Sequence, residues 1–446
     1  MVLLAPFLSG VATQGPLLGR GGMISPELIL EIVAFTTGAA TLLARGRLRS
    51  PARLALPIAA ILGIVALGTL QILPMPEKVL EFVTPLNLKI YRETSRILAL
   101  FGRTPPEPRV SIAPSATISA FLLLLAYFSL FFSAANLLRT RERRRVFALT
   151  FFASSAVQIL IATVATSFGD SFPVQNAGLG RVASYLEIGL ALAFGALWAE
   201  ILTNRDRASS SSTNGAERFE TRSLPLVGRL LLWSLAIFGL WQTGSRVGLL
   251  AATLTTLTVL AVAVFHRRVH FRRQRIVGVF LGLLAIVLFS GTIAGARPLV
   301  RFLESDPGGL NTSARVMLWR TAYHAWREFP ILGSGLGTFP EAVRRVQPPE
   351  LGGRIEQARS DLLQSLVTGG VVGAALAVLL YGSLFLLLVR AFREQRHREE
   401  SALILGGFGA LLSLSIHGLM DSAYSSTVIP AMLACVVGAA WAAARK

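Results

Sequence analysis

Apolar runs of about 20 residues recur along the whole chain, and each is long enough to cross the hydrocarbon core of a bilayer. They predict eleven or twelve membrane-spanning helices, because the first run is short and contains two prolines. The expected spans are 2–19, 24–44, 54–73, 115–138, 146–166, 182–202, 226–243, 246–265, 276–296, 361–389, 401–420 and 427–443. The pattern therefore predicts an all-α polytopic membrane protein.

Arginine-rich stretches connect the spans on one side. They are "RGRLRSPAR" (45–53), "RTRERRR" (139–145), "HRRVHFRRQR" (266–275) and "RAFREQRHR" (390–398). Because short cytoplasmic loops collect Lys and Arg, we expect all four stretches in the cytoplasm. They hold most of the formal net charge of +19, so this charge reflects orientation in the membrane rather than a nucleic-acid partner.

The chain is expected to have three parts. They are an N-terminal transmembrane bundle (1–296), a large periplasmic loop with short helices (297–360) and C-terminal transmembrane helices (361–446). The first part includes a periplasmic segment at 74–113 and a serine-rich cytoplasmic linker at 203–225. Loops as long as the two periplasmic ones are usually functional, so we expect the chemistry on that face.

One arginine interrupts an apolar stretch of forty residues. Between Leu226 and Phe265 only Arg229 and Arg246 are charged, and Arg246 follows a Gly-Ser pair in "WQTGSRVGLL". An arginine at the membrane centre costs about 2.5–3.5 kcal/mol on insertion scales. The Gly-Ser pair therefore predicts a tight hairpin with Arg246 at its outer tip, either as a turn residue that reaches water or as part of a polar site.

The same topology brings other ionisable side chains to the outer face. Arg181 and Glu187 begin one span, Asp361 begins another, and His417 and Asp421 end a third. His417 and Asp421 lie four residues apart and share a helix face, so the carboxylate can orient the imidazole. A satisfied polar pair at a helix end is the alternative. Two ligands are too few for zinc, and we expect neither a metal site nor a cofactor.

The large loop contains a predicted helix in "NTSARVMLWRTAYHAWREFP" (311–330), with a polar N-terminal signal and a proline stop. Its predicted apolar stripe consists of Val316, Trp319, Tyr323 and Trp326. The opposite face carries Arg320, His324 and Arg327. We expect the stripe to pack against the protein, and a platform for sugar rings is the alternative.

Two stretches follow this helix. "PILGSGLGTFP" (330–340) is glycine-rich, which indicates a turn where the backbone approaches another group closely. The next stretch crowds Arg354, Glu356, Arg359 and Asp361 at the mouth of a span, either as a solvated helix start or as a clamp for an anion. Outer guanidinium groups suit a diphosphate, and they can stabilise it as a leaving group without a metal.

Six patches occur in a fixed order along the chain. They are "LQILPMPEKVLEFVTP" (70–85), "RVASYLEIGLALAFG" (181–195), "TGSRVGLLA" (243–251), "ARVMLWRTAYHAWREFPILGSGLGTF" (314–339), "ARSDLLQSLVTGGVVG" (358–373) and "HGLMD" (417–421). In their order and spacing they resemble the bacterial O-antigen ligase and O-antigen polymerase family. The resemblance covers most of the chain and is concentrated in these patches.

The resemblance implies a C-type glycosyltransferase fold, all α, in the bacterial inner membrane. Such enzymes take a glycan from undecaprenyl diphosphate at the periplasmic face and pass it to a lipid or glycan acceptor. It also implies that Arg181 and Arg246 bind the diphosphate. With two arginines of the large loop added, the candidate ligands are Arg181, Arg246, Arg315 and Arg359. The expected supporting residues are Ser245, Glu187, His417 and Asp421.

One tract departs from the family pattern. Where members usually carry a histidine in an Ala-His-Asn-Asp-like tract, this chain reads Ala358-Arg359-Ser360-Asp361. The candidates for the residue that activates the acceptor are therefore Asp361, Glu356 and His324. A polymerase and a ligase both fit, and a transporter of lipid-linked glycans or a non-catalytic scaffold are the alternatives. The expected partners are a glycan on undecaprenyl diphosphate, an acceptor and membrane lipids.

Overall fold

The structure is a computed structural model that describes residues 26–45, 54–168, 176–210, 224–267, 312–424 and 426–444. Within them the chain forms fourteen helices. These are α1 (Pro26–Arg45), α2 (Ala55–Ile72), α3 (Glu77–Val83), α4 (Pro85–Leu100), α5 (Pro114–Leu137), α6 (Arg141–Phe168), α7 (Asn176–Ser210), α8 (Leu224–Gln242), α9 (Arg246–Arg267), α10 (Thr312–Glu328), α11 (Phe339–Arg344), α12 (Asp361–Glu394), α13 (Arg398–Met420) and α14 (Val428–Ala444).

The long helices confirm the spans that the hydropathy pattern predicts. Nine of the described helices are long and apolar enough to cross a membrane: α1, α2, α5, α6, α7, α8, α9, α12 and α13. Helix α14 is a shorter apolar helix of 17 residues. The protein is therefore an all-α, multi-pass membrane protein. The spans expected at 2–19 and 276–296, most of the linker at 203–225 and residues 297–311 of the large loop lie outside the described residues.

Helices α7 and α13 form the centre of the bundle. The membrane-spanning parts of α7 and α13 are 72% and 67% buried, whereas each of the other spans is below 40%. Small residues allow the two backbones to approach: a Cβ at Gly195 would lie 2.2 Å from the Ala402 carbonyl oxygen, and one at Gly406 would lie 3.0 Å from the Cα of Leu192. Close backbone packing of this kind is a main source of helix association in membranes.

Helix α12 is broken at Gly370, which has φ of +63°. Residues 330–337, called the glycine loop below, lie against the break. The Val367 and Thr368 carbonyls accept hydrogen bonds of 2.9 and 3.0 Å from this loop, and the Val371 N–H donates to it at 2.8 Å. Backbone groups released inside a membrane-spanning segment need partners within the protein. The glycine loop supplies those partners.

The glycines of this loop are required by its position. Gly333 has φ of +75°, and a Cβ there would lie 2.3 Å from the Thr368 carbonyl oxygen, so any side chain would collide with backbone. The side chain of Gln71, at the end of α2, fixes the same loop. Its Nε2 donates to the carbonyls of Leu332 (2.7 Å) and Thr368 (3.1 Å), and its Oε1 accepts from the Leu336 N–H at 2.9 Å.

The segment 74–113 is tied to the glycine loop as well. Its helix α4 buries Tyr91, whose hydroxyl donates to the Ser111 carbonyl at 2.8 Å. The next residue, Ile112, donates its N–H to the Ser334 carbonyl at 2.9 Å. Both loops therefore meet at one end of the bundle, called the loop end below, where α2 ends and α5 and α12 begin.

The expected packing face of α10 is only partly right. The face that enters the protein consists of Leu318, Thr321, Ala322, Ala325 and Phe329, each no more than 3% exposed. Val316 and Tyr323 of the predicted stripe are 39% and 47% exposed. Small alanines permit close packing at this face. Of the aromatic residues, Trp319 and Trp326 are half-buried, and Trp326 packs against the same core.

Candidate functional site

The ionisable residues that topology assigns to one face do meet at the loop end. They come from the start of α7, the turn before α12, the start of α12 and the end of α13. Contacts or direct electrostatic interactions link Arg181, Glu187, Arg359, Asp361, His417 and Asp421, called the charged cluster below.

Glu187 is the buried carboxylate at the base of the charged cluster. Its Oε1 lies 2.5 Å from Nδ1 of His417, and its Oε2 accepts a hydrogen bond of 2.7 Å from the Ser413 hydroxyl. Ser413 and His417 lie one turn apart on α13, so a single helix face holds both oxygens. The carboxylate that orients the imidazole is therefore Glu187, on a different helix from the predicted partner Asp421.

Asp421 holds an arginine instead. It follows the last residue of α13, and its Oδ1 lies 3.3 Å from Nη1 of Arg359 and accepts the Ser422 N–H at 2.7 Å. Arg359 has φ of +51°, a left-handed conformation that costs a non-glycine residue about 1–2 kcal/mol. The Trp319 indole N–H holds this strained peptide by donating to the Arg359 carbonyl at 3.1 Å.

Asp361 joins α12 to the turn after α13. Its Oδ2 accepts the N–H groups of Ala423 (3.0 Å) and Tyr424 (3.3 Å). Gly418 leaves room for this carboxylate, since a Cβ there would lie 2.4 Å from Oδ2. Burial raises the pKa of the Tyr424 phenol, which therefore stays neutral beside Asp361. Oδ1 of Asp361 has no hydrogen-bond partner among the described residues.

Two arginines of the cluster interact electrostatically. Arg181 and Arg359 are close enough for their charges to repel. Among the described residues, Arg181 has neither an ion pair nor a hydrogen bond. Arg315, from α10, reaches the end of α13 and donates to the Met420 carbonyl at 3.0 Å. Arg359 has a carboxylate partner in Asp421, whereas Arg181 has none among the described residues.

The hairpin that contains Arg246 has the predicted form. Gly244 has φ of +67°, and Ser245 caps α9 by accepting the Gly248 N–H at 3.0 Å. Arg246 is the first residue of α9 and is exposed at the loop end. Gly248 lies on the buried carboxylate, since a Cβ there would be 3.1 Å from Oε1 of Glu187. The glycines and the serine of this motif therefore fit the hairpin against the charged cluster.

The structure does not bring two of the candidate bases to the cluster. Glu356 is exposed and pairs with Arg354 at 2.9 Å. His324 is exposed on α10, with its ring 6.0 Å from that of Tyr323. In the described part of the chain, no contact joins either side chain to the charged cluster. Of the three candidates, only Asp361 belongs to it.

Two residues of the site were not predicted. Ser413 precedes His417 by one turn, and this spacing on a polar helix face was the available signal. Gln71 lies inside a tract that resembles the family, but a glutamine in an apolar run gives no hint of the loop that it holds. Among the described residues, no group of three or more His, Cys, Asp or Glu is arranged to hold a metal ion.

The fold and the charged cluster together define a multi-pass membrane protein with a polar site at one end of its bundle. Residues 230–378 match the family model described as O-antigen ligase, which confirms the resemblance over that stretch. The match includes the Arg246 hairpin, α10, the glycine loop and Asp361. It indicates glycan transfer of the O-antigen ligase or polymerase type, and hence a glycosyltransferase-like enzyme. No curated protein matches the chain.

Proposed function

We propose that the protein transfers a glycan from undecaprenyl diphosphate to an acceptor, as an O-antigen or exopolysaccharide polymerase or as a ligase. The observation that carries this proposal is the approach of Arg181 to Arg359 at the charged cluster. Two like charges held together are unfavourable, and an anion between them removes the penalty. A diphosphate offers enough oxygens for both planar guanidinium forks.

The arginines act on the leaving group. As the bond between the anomeric carbon and the diphosphate oxygen breaks, negative charge grows on the diphosphate. Guanidinium groups that are already in place stabilise this charge more than they stabilise the bound substrate, and each such donor lowers the barrier by about 2.7–4 kcal/mol. Arg246 and Arg315 complete the set from the hairpin and α10. This chemistry needs no metal ion.

Asp361 accepts the proton of the acceptor. While the acceptor oxygen forms its bond to the anomeric carbon, its hydroxyl proton moves to Oδ1 of Asp361, and the diphosphate leaves with the bonding electron pair. Oδ2 is already held by two backbone N–H groups, so the carboxylate is fixed in orientation. Glu187 and His417 support this arrangement from below.

The site faces the periplasm of a bacterial inner membrane in this proposal. The arginine-rich turn before α6 and the one between α12 and α13 lie at the opposite end of the bundle from the charged cluster. Short basic loops favour the cytoplasmic side. The loop end then lies outside, where a glycan on a lipid carrier can reach it while the lipid tail stays in the bilayer.

The test uses purified protein in liposomes with the lipid-linked repeat unit of its own source, in the presence of a chelator. Release of undecaprenyl diphosphate with a lengthening glycan identifies a polymerase, and release only after a second acceptor is added identifies a ligase. Arg246→Ala should lower the release rate about 100-fold or more. Arg143 is an exposed arginine at the opposite end of the bundle. Arg143→Ala is therefore the matched control and should leave the release rate unchanged. Lipid that crosses the bilayer without release would contradict the proposal and indicate a transporter.

A further inference from the structure

The outer face of α10 carries a row of large side chains, three of them aromatic, that the protein covers only in part. It consists of Val316, Trp319, Tyr323 and Trp326, called the aromatic ledge below. Val316 and Tyr323 are exposed, whereas Trp319 and Trp326 are half-buried. Most of the packing of α10 is made by its other face, and of the ledge only Trp326 adds to that core. Tyr323 is 47% exposed, and its hydroxyl has no hydrogen-bond partner within the described chain.

The indole rings of the ledge are held in fixed orientations. The Trp319 N–H donates to the Arg359 carbonyl at 3.1 Å, and the Trp326 N–H donates to the Pro330 carbonyl at 3.3 Å. The Tyr323 ring lies between them in sequence, with its centroid 5.6 Å from that of Trp326. Rings fixed by their polar edges lose little conformational entropy when a ligand binds to their faces.

The ledge begins at the charged cluster. Arg315 and Trp319 are one turn apart on α10, and both contact elements of the cluster, Arg315 through the Met420 carbonyl and Trp319 through Arg359. At a rise of about 1.5 Å per residue, the ledge then extends roughly 10 Å from Trp319 to Trp326, away from the arginines. A ligand whose anionic group lies at the cluster would have its next groups beside these rings.

We propose that the aromatic ledge binds the sugar rings of the glycan whose diphosphate lies at the charged cluster. This inference rests on the proposed function and adds the subsite for the sugars. The C–H face of a sugar ring is apolar and packs against an aromatic face, while its hydroxyl groups keep contact with water and with Arg320 and Arg327 on the flank. The membrane interface, which also attracts Trp and Tyr, is the competing occupant.

The experiment measures two ligands by calorimetry in detergent. One is undecaprenyl diphosphate without sugar, and the other is the oligosaccharide released by mild acid from the lipid-linked glycan of the protein's own source. Tyr323→Ala and Trp326→Ala should each weaken oligosaccharide binding about tenfold, which corresponds to about 1.4 kcal/mol. Affinity for undecaprenyl diphosphate should not change. Tyr323→Trp should restore oligosaccharide binding.

Phe82→Ala is the matched control, because Phe82 is a large aromatic residue that is 91% exposed on α3, outside the ledge. It should leave both affinities unchanged. Oligosaccharide binding that is absent in the wild type, or unaffected in Tyr323→Ala, overturns the ledge but not the proposed function. If the wild-type protein does not bind undecaprenyl diphosphate, the proposed function itself is overturned.

A spin label attached to the variant Tyr323→Cys shows whether the ledge faces water, where it can bind sugar, or lies in the bilayer. The only native cysteine, Cys435, is buried, so labelling at position 323 is selective. In proteoliposomes, a label that is accessible to a water-soluble nickel chelate and shielded by the oligosaccharide supports the ledge. A label that is accessible to oxygen and not to the chelate lies in the bilayer and overturns it.

Discussion

Carboxylates are buried at both ends of the bundle, but the groups that contact them differ. At the opposite end, Glu400 contacts Nε of Arg141 and Nη2 of Arg144, both at 3.1 Å, and Glu200 contacts Arg229 at 2.6 Å. At the loop end, the buried Glu187 is held by His417 and a serine hydroxyl. The arginine nearest to it in sequence, Arg181, approaches another arginine.

We propose that the arginine–carboxylate pairs at the opposite end hold the fold, and that Arg181 at the loop end binds an anionic ligand. Carboxylates paired with arginines form closed units, and loss of one partner leaves the other uncompensated. Arginines that approach each other raise the free energy of the folded protein and lower the free energy of anion binding. The opposite end should therefore govern stability, and the loop end should govern activity.

Arg181→Ala should give the largest effect and is the most direct test of the difference between the two ends. We expect the rate of glycan transfer to fall about 100- to 1000-fold, because one donor to the leaving group is lost. The melting temperature in detergent should not fall, because the repulsion with Arg359 is relieved. Arg181→Lys, which keeps the charge without the planar fork, should recover only part of the rate. A lower melting temperature with an unchanged rate would assign Arg181 to the fold.

Glu400→Gln should have the converse effect at the opposite end. It leaves the half-buried Arg144 without its carboxylate, and we expect the free energy of unfolding to fall by about 3 kcal/mol. Thermal unfolding in detergent checks this value, and the transfer rate of the folded fraction should equal that of the wild type. Glu399→Gln, at an exposed neighbouring carboxylate, is the control and should change neither the free energy of unfolding nor the transfer rate. A lost rate in Glu400→Gln at normal stability would contradict the division between the two ends.

Ser413→Ala should give the smallest effect. It removes one of the two hydrogen bonds to the Glu187 carboxylate, and a bond to a charged group contributes about 1.5 kcal/mol to stability. We expect a fall of that size in the free energy of unfolding. Ser383→Ala removes a buried hydroxyl that donates only to the Leu380 carbonyl of its own helix, and it should change stability less. Equal effects from the two variants would show that the Ser413 hydroxyl is not special to the site.

Hydropathy predicts the spans well because helices in a membrane must satisfy their own backbone, and the bilayer fixes their length. The alternation of spans also predicts which end of each helix lies on which side of the membrane. For this reason Arg181, Glu187, Asp361 and His417 were expected at one face. Their pairing was not predictable, because it depends on which helices are neighbours. His417 has a carboxylate four residues away, yet its partner is Glu187, 230 positions earlier in the sequence.

The large loop was predicted less well. The glycine pattern indicated close approach of backbone, but not that the partner is a broken membrane helix, since Gly369-Gly370 sits in an apolar run that reads as continuous. On α10 the period of the large aromatic residues predicted only the edge of the packing face, where Trp326 lies. Ala322 and Ala325 contribute little to a hydrophobicity pattern, although both are fully buried in the core of the large loop.

The contact between the glycine loop and α12 determines which segment could be transplanted between related proteins to make a chimera. Most of its hydrogen bonds run from backbone to backbone, and the Ser334 hydroxyl adds one to the Val367 carbonyl. These bonds need a break in α12 at the same carbonyl groups and an amide side chain at the end of α2. Grafting the large loop alone would leave these groups without partners. A functional chimera must therefore carry the loop, the first half of α12 and Gln71 together.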